Sequence, residues 1–294
     1  MTGRTKEKAW AKLNLCLDVT GLLPGGYHAL RSVMQSVSLC DDLTVSVSPG
    51  EGNIRVSSNR AYLPTGEKNL AGKAAAVFRD AAGLAGVDFS IDIRKHIPVC
   101  AGMGGGSSDA AAVLRALNRL CGTELDTAAL CKLGESIGSD VPYCVMGGTA
   151  LAEGRGEILT KLPDAPECFV VICKPRFPVS TPEMFARIDQ TGLQFHPDTD
   201  GMVEAVKNGD LMGIASCMGN VFEEVLPKGK GEISAIRSTM RSSGAVGSMM
   251  TGSGPTVFGL FTKRDGAEAA CFILRQRYRE TYFARIPGNW DEVD

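Results

Sequence analysis

Pro98-Val99-Cys100-Ala101-Gly102-Met103-Gly104-Gly105-Gly106-Ser107-Ser108 is the stretch on which the reading of the fold turns. Four glycines fall within five positions, and two serines follow. Glycine allows positive φ and lets the backbone approach a ligand closely. Successive N–H groups can then converge on one anion. Residues 107–120 read as a helix, with serine or aspartate expected at its start and Gly122 beyond its end. Such a helix adds unpaired N–H groups and the positive end of its dipole, and the serines add hydroxyls. The segment therefore suits a di- or triphosphate. A merely flexible strand-to-helix connection has no need of this composition.

Two common phosphate loops are excluded. A P-loop needs G-x-x-x-x-G-K-[ST]. Gly66-Glu67-Lys68-Asn69-Leu70-Ala71-Gly72-Lys73-Ala74 is one residue too long and ends in alanine where a hydroxyl is required. The dinucleotide pattern G-x-G-x-x-G fails because Gly102 and Gly104 lead to Ser107 at the third glycine position.

Working outward, residues 10–19, 43–47, 54–56 and 89–94 read as strands, with period-two apolar positions clearest in the last. Residues 70–82 carry alanine, valine and phenylalanine at helical spacing, and Asp126 caps a helix bearing Leu130, Leu133 and Ile137. Composition shifts near Pro163 and Pro166, which places a domain boundary there: residues 1–163, then 164–294. The second part holds strands near 169–172, 246–250, 256–261 and 282–286, and helices near 182–188, 201–206, 233–241 and 267–278. Strands and helices mix without strict βαβ alternation, so the expected class is α+β in two lobes.

The 294 residues carry a net charge of −2, which excludes a basic field for nucleic acid. The charged start, Met1-Thr2-Gly3-Arg4-Thr5-Lys6, lacks the apolar run of a signal peptide, and no spanning segment is apparent, so no membrane partner and a cytoplasmic location are expected. The ten cysteines form no C-x-x-C pair and read mainly as small core residues; no metal motif such as H-E-x-x-H occurs.

The glycine segment has two companions, Ala11-Lys12-Leu13-Asn14-Leu15 and Gly252-Ser253-Gly254-Pro255-Thr256. Three motifs in this order and spacing resemble the GHMP kinase family of small-molecule kinases. The resemblance spans nearly the whole chain and implies that family's two-lobed fold, with the active site in the cleft between an N-terminal ATP-binding and a C-terminal substrate-binding domain. Gly26-Tyr27-His28, Gly138-Ser139-Asp140-Val141-Pro142-Tyr143 and Gly147-Gly148-Thr149-Ala150 narrow it. These look like the members that use ATP and Mg²⁺ to phosphorylate the 2-hydroxyl of a cytidine diphosphate-linked alcohol in isoprenoid precursor synthesis. In the turn before Gly26, Leu22-Leu23-Pro24-Gly25 stands where such members usually carry charged residues.

Taken by its spacing alone, Asp140 reads more readily as a turn aspartate capping backbone N–H groups. Lys12, among Leu13, Leu15 and Leu17, reads as a partly buried ammonium or as a lysine on a strand's polar face. The resemblance makes Asp140 the catalytic base and Lys12 catalytic. It implies ATP contacts from Asn69, Leu70, Lys95 and the segment Pro98, Val99, Cys100, Ala101, Gly102, Met103, Gly104, Gly105, Gly106, Ser107 and Ser108, with Ser108 a candidate Mg²⁺ ligand. Substrate contacts are implied for Asn14, Tyr27, His28, Thr181 and Phe185. A family member acting on homoserine, mevalonate or a sugar would share the glycine loop and Lys12 but not Tyr27, His28 or Phe185. A non-catalytic relative would have no need of Lys12, Asp140 and Ser108 together.

Overall fold

In the computed structural model, which describes residues 1–288 and Trp290, the first strand β1 (Gly3–Leu22) is half-exposed at its start and buried on both faces from Ala11 to Val19. A turn closed by the N–H of Leu23 donating to Tyr27 O leads into β2 (His28–Pro49), its partner. Only residues 43–47 of β2 were legible as a strand. Its first half buries Ser32, Gln35 and Ser36, which breaks the apolar alternation that marks a strand in sequence.

The chain packs as two compact units, each built from separate stretches. One comprises residues 1–11, 40–99 and 104–147; the other comprises 12–39, 100–103 and 148–294. This differs from a single cut at residue 163, because β1, β2 and the glycine segment each contribute to both units.

In the first unit, β3 (Ile54–Ser58) leads through a single 3-10 turn (Gly66–Lys68) into α1 (Leu70–Ala82). The strand β4 (Val87–Arg94) then buries Val87, Phe89, Ile91 and Ile93 and exposes alternate residues. It runs antiparallel to residues 42–49 of β2 and parallel to β3. The long helix α2 (Gly105–Cys121) is buried almost all round at Ala110, Ala111, Ala112, Val113, Leu114, Ala116 and Leu117. Small side chains let it lie close to α1. The unit ends with α3 (Thr127–Glu135), capped by Asp126 as expected, and the short α4 (Val141–Met146).

The second unit resumes after α4 with β5 (Thr149–Glu153), which pairs with residues 32–35 of β2 and with β6 (Ile158–Lys161). A separate antiparallel sheet follows, made of β7 (Cys168–Lys174), β8 (Gly247–Met250), β9 (Val257–Phe261) and β10 (Glu280–Ile286), in the order β10-β7-β9-β8. Between β7 and β8 lie α5 (Thr181–Thr191), α6 (Thr199–Lys207), α7 (Leu211–Cys217), α8 (Phe222–Val225) and α9 (Lys230–Ser242). The helices α9 and α10 (Arg264–Arg275) pack on the sheet over a core that includes Val171, Ile236, Met240, Val257, Phe261, Cys271 and Leu274. The mixture of sheets and helices is the α+β class read from the sequence. Five cysteines are buried (Cys16, Cys144, Cys168, Cys173 and Cys271), and Cys100 is exposed. Burial pushes the Cys16 thiol up to about 11 and those of Cys168 and Cys173 up to about 12, so these three behave as core residues. Among the described residues no helix is long and apolar enough to cross a membrane.

The rejected P-loop segment proves structural. Gly66 has φ +63, and a Cβ on Gly72 would fall on the carbonyl oxygen of Gly66, well inside contact distance. Backbone cannot yield as a side-chain tip can. Gly72→Ala is expected to lower stability by about 1–3 kcal/mol through overpacking, read as an earlier denaturant midpoint. An unchanged midpoint would contradict this contact.

Candidate active site

In the first unit the second half of the glycine segment forms the start of α2. The helix begins at Gly105, not at the serines, and its N-cap is Gly104 at φ 65 with no side-chain cap. The N–H groups of the first turn therefore belong to Gly105, Gly106 and Ser107, the donors a helix start leaves unpaired. Gly105 and Gly106 are helical, so their lack of a side chain serves space. A Cβ on Gly105 would meet Ile97 Cγ2 at 3.0 Å and Lys95 Nζ at 3.4 Å; one on Gly106 would meet Leu70 Cδ1 at 3.2 Å. Pro98 is buried and Val99 half-buried at the approach to the loop. Ser107 is half-buried, and its hydroxyl makes no hydrogen bond within the described residues.

Ser108 does not fit the metal role. It is 2% exposed, and its hydroxyl donates to Trp10 O at 2.6 Å, tying α2 to β1. Among the described residues no group of three or more His, Cys, Asp or Glu could hold a metal ion.

Asn69 caps α1, its Oδ1 accepting from the Ala71 N–H at 3.0 Å and its Nδ2 donating to Pro64 O. Lys95, expected at the adenine and ribose, turns its ammonium inward. It is 4% exposed and donates to Asp41, to Asp109 at 2.7 Å and to Gly105 O at 3.4 Å. Asp140 stands at the N-cap position of α4, yet its side chain does not cap that helix.

In the second unit the three motifs converge. Lys12 N–H donates to Met103 O at 3.1 Å, and its ammonium, 5% exposed, donates to Asn14 Oδ1 at 2.9 Å. That places Lys12 and Asn14 on one strand face, as their spacing of two predicts. Asn14 Oδ1 also accepts from the Gly252 N–H at 3.1 Å, and its Nδ2 donates to Ser32 Oγ at 2.8 Å. The Asn14 N–H donates to Thr251 Oγ1 at 3.0 Å. The amide expected to touch substrate is thus a hub between strand and loop. Cys100 (φ 52) and Gly102 (φ 71) shape the approach, with Ala101 and Met103 buried. A Cβ on Gly102 would meet Thr251 O at 2.5 Å, and one on Gly252 would meet Gly102 O at 2.7 Å. The two backbones touch because both residues are glycine. Asn220 Nδ2 donates to Met250 O and Gly252 O, both at 2.8 Å, holding the loop from behind.

Two of the three predicted aromatic residues meet in this unit. His28 stacks on Phe185 with ring centroids 4.4 Å apart and planes at 22°, and Phe185 lies edge-on to Phe222. His28 Nε2 bonds Asp189 Oδ1 at 2.8 Å, and the exposed Tyr27 lies beneath the guanidinium of Arg155. Thr181 Oγ1 and Ser253 Oγ are 2.7 Å apart, so the start of α5 reaches the Gly-Ser-Gly loop. Sequence reasoning missed Ser32, Asp41, Asp189, Asn220 and Thr251. Each is a lone polar residue whose partner lies far along the chain, and no local spacing marks it.

Comparison with known proteins follows this geometry. The family model for the GHMP kinases N terminal domain matches residues 69–148, and that for the GHMP kinases C terminal matches residues 202–280. The chain is 47% identical to the 4-diphosphocytidyl-2-C-methyl-D-erythritol kinase of Lachnospira eligens, over 92% of this chain and 93% of that protein. It is 43% identical to the enzyme of that name from Clostridium perfringens strain ATCC 13124, over 95% and 97% of the two chains. A crystal structure of 4-(cytidine 5'-diphospho)-2C-methyl-D-erythritol kinase superimposes with a TM-score of 0.81 at 33% identity, covering 97% of this chain and 100% of that one. The L. major mevalonate kinase shares the fold, with a TM-score of 0.72 at 19% identity. By sequence, motif and fold, this chain belongs to the GHMP kinase family.

Proposed function

We propose that the protein transfers the γ-phosphoryl group of ATP to the 2-hydroxyl of 4-diphosphocytidyl-2-C-methyl-D-erythritol, in the non-mevalonate route to isoprenoid precursors. The observation that carries this choice within the family is the stacked pair of His28 and Phe185, in a chain whose relatives bear that enzyme's name. Homoserine or mevalonate offers no flat base to such a surface. The Asp189 carboxylate can only accept, so His28 donates to it from Nε2; in its neutral form this leaves Nδ1 as an acceptor. The exocyclic amino group of cytosine is a donor and suits that nitrogen. Uracil has a carbonyl at the same place. Tyr27 and Thr181 complete the proposed substrate contacts.

The N–H groups of Gly104, Gly105, Gly106 and Ser107, with the dipole of α2, would hold the nucleotide phosphates. Asn69, Leu70, Lys95, Pro98 and Val99 would form the rest of the nucleotide's surroundings, with Lys95 acting by supporting the loop. Asp140 would accept the proton of the attacking hydroxyl, and Lys12 would stabilise charge as the phosphoryl group moves. Lys12 is suited to this, because a buried ammonium is stabilised by an arriving anion. Asn14 would keep the Lys12 side chain aimed. Mg²⁺ on the nucleotide would offset phosphate charge.

ADP release with a panel of alcohols tests the assignment. Turnover with the cytidylated erythritol alone is expected; equal turnover with homoserine or mevalonate would overturn it. Asp189→Asn permits the opposite histidine tautomer at a half-exposed site. It should narrow the preference for the cytidylated substrate over its uridylated analogue by about tenfold, or 1.4 kcal/mol. An unchanged ratio would remove His28 from base selection.

Asp140→Asn keeps shape and loses the proton acceptor. The expected fall in kcat is about 10²–10⁴, with much smaller changes in nucleotide and substrate binding. Retention of kcat within about threefold would show that Asp140 only orients the hydroxyl.

A further inference from the structure

Three ionisable side chains lie buried at the phosphate loop: Asp41 on β2, Lys95 just past β4, and Asp109 in the second turn of α2. Lys95 Nζ joins them, donating to both carboxylates and to Gly105 O. Asp41 Oδ1 also accepts the N–H groups of His96 and of Ile97, the latter at 2.8 Å. That fixes residues 95–97, and the Ile97 side chain is the surface against which Gly105 rests. The cluster thus holds the first turn of α2 from two sides.

The two carboxylates are not equivalent. Asp41 receives three donors, whereas Asp109 receives one, on Oδ2, and its Oδ1 is buried with no partner. An anionic oxygen without a donor in a dry site is strongly penalised. One ammonium facing two carboxylates also leaves an excess negative charge. A single proton on the poorly satisfied carboxyl removes both penalties.

We propose that Asp109 is a positioning residue held as a neutral carboxylic acid, and that Asp41, Lys95 and protonated Asp109 together set the phosphate loop for nucleotide binding. Its bearing on the nucleotide rests on the kinase reading above; its bearing on Asp109 does not. Burial pushes the Asp109 carboxyl up to about 8; the Lys95 charge opposes this and the Asp41 charge reinforces it. Burial alone would lower Lys95, but its pairing with Asp41 and Asp109 outweighs it and raises it. Several charged groups on the neighbouring elements point to other partners. Lys73 of α1 donates to the carbonyls of Ser136 and Ile137, Arg115 of α2 pairs with Glu7 of β1, and Lys132 of α3 pairs with Glu135. His96 lies 3.3 Å from Asp42.

Ionisation of Asp109 would place a new negative charge one turn below the N–H groups that face the phosphates. Because the folded-state pKa is raised, stability falls as pH rises from the ordinary carboxylate range to about 8 and then levels.

The test has three readouts on the whole protein. In the infrared, wild type at pH 6 should show the C=O stretch of a protonated carboxylic acid that disappears as pH passes about 8. This arm needs no variant. Against Asp109→Asn, which mimics the neutral acid, the wild-type folding constant should fall about tenfold per pH unit below that point and run parallel above it. MgADP affinity of wild type, by calorimetry, should fall about tenfold between pH 7 and pH 9. In Asp109→Asn that fall should vanish. Absence of the infrared band at pH 6, or parallel profiles for wild type and variant throughout, would overturn the proposal. MgADP that binds at no pH would instead overturn the nucleotide reading, leaving Asp109 to be judged on the band and the stability profile.

Discussion

Much of this protein depends on two backbones touching. Gly102 and Gly252 lie 150 residues apart in sequence and press together: a side chain on Gly252 would stand on Gly102, and one on Gly102 would stand on the Thr251 carbonyl beside it. Both have positive φ, so glycine is required twice over, for conformation and for space. The contact is locked by one amide. Asn14 accepts the Gly252 N–H, accepts the Lys12 ammonium and donates to Ser32, joining β1, β2 and the Gly-Ser-Gly loop. Asn220 secures the same loop from the other side. Lys12 is thereby held by the residue that positions the loop, so that neither shifts without the other.

The same economy appears around the phosphate loop. Its serines and glycines divide their tasks in a way their order alone does not reveal. Ser108 binds the chain to itself, and Gly105 and Gly106 make room for Ile97 and Leu70. In the proposed site, anion binding would be left to backbone N–H groups at a helix start, which suit a phosphate of any orientation. Lys95 donates inward to Asp41, Asp109 and Gly105 O.

What the sequence discloses follows from how local each signal is. The helix at residues 70–82 was readable to the residue because its spacing, cap and terminal glycine lie within one short window. The strand β4 was readable because one face is buried and the other is wet. The first half of β2 was not, since its interior is partly polar. Lys12, Asn14 and the glycine segment stood out as motifs, and the structure gathers Lys12, Asn14 and the segment's first half with the Gly-Ser-Gly loop. The start of α2 was placed too late because glycine carries no helical signal, although here it opens the helix. Asp41 and Asp189 gave no sign, because each matters only through a partner distant in the chain.

The central claim is that one phosphoryl group moves from ATP to an alcohol and that the cytidine diphosphate remains intact. Phosphorus NMR with ATP labelled by oxygen-18 in its γ-phosphoryl group tests this directly. The account predicts a new monoester resonance that carries the label, formed in step with ADP, while the two phosphorus atoms of the cytidine diphosphate keep their linkage. Labelled inorganic phosphate without the monoester, or label entering the diphosphate, would contradict it.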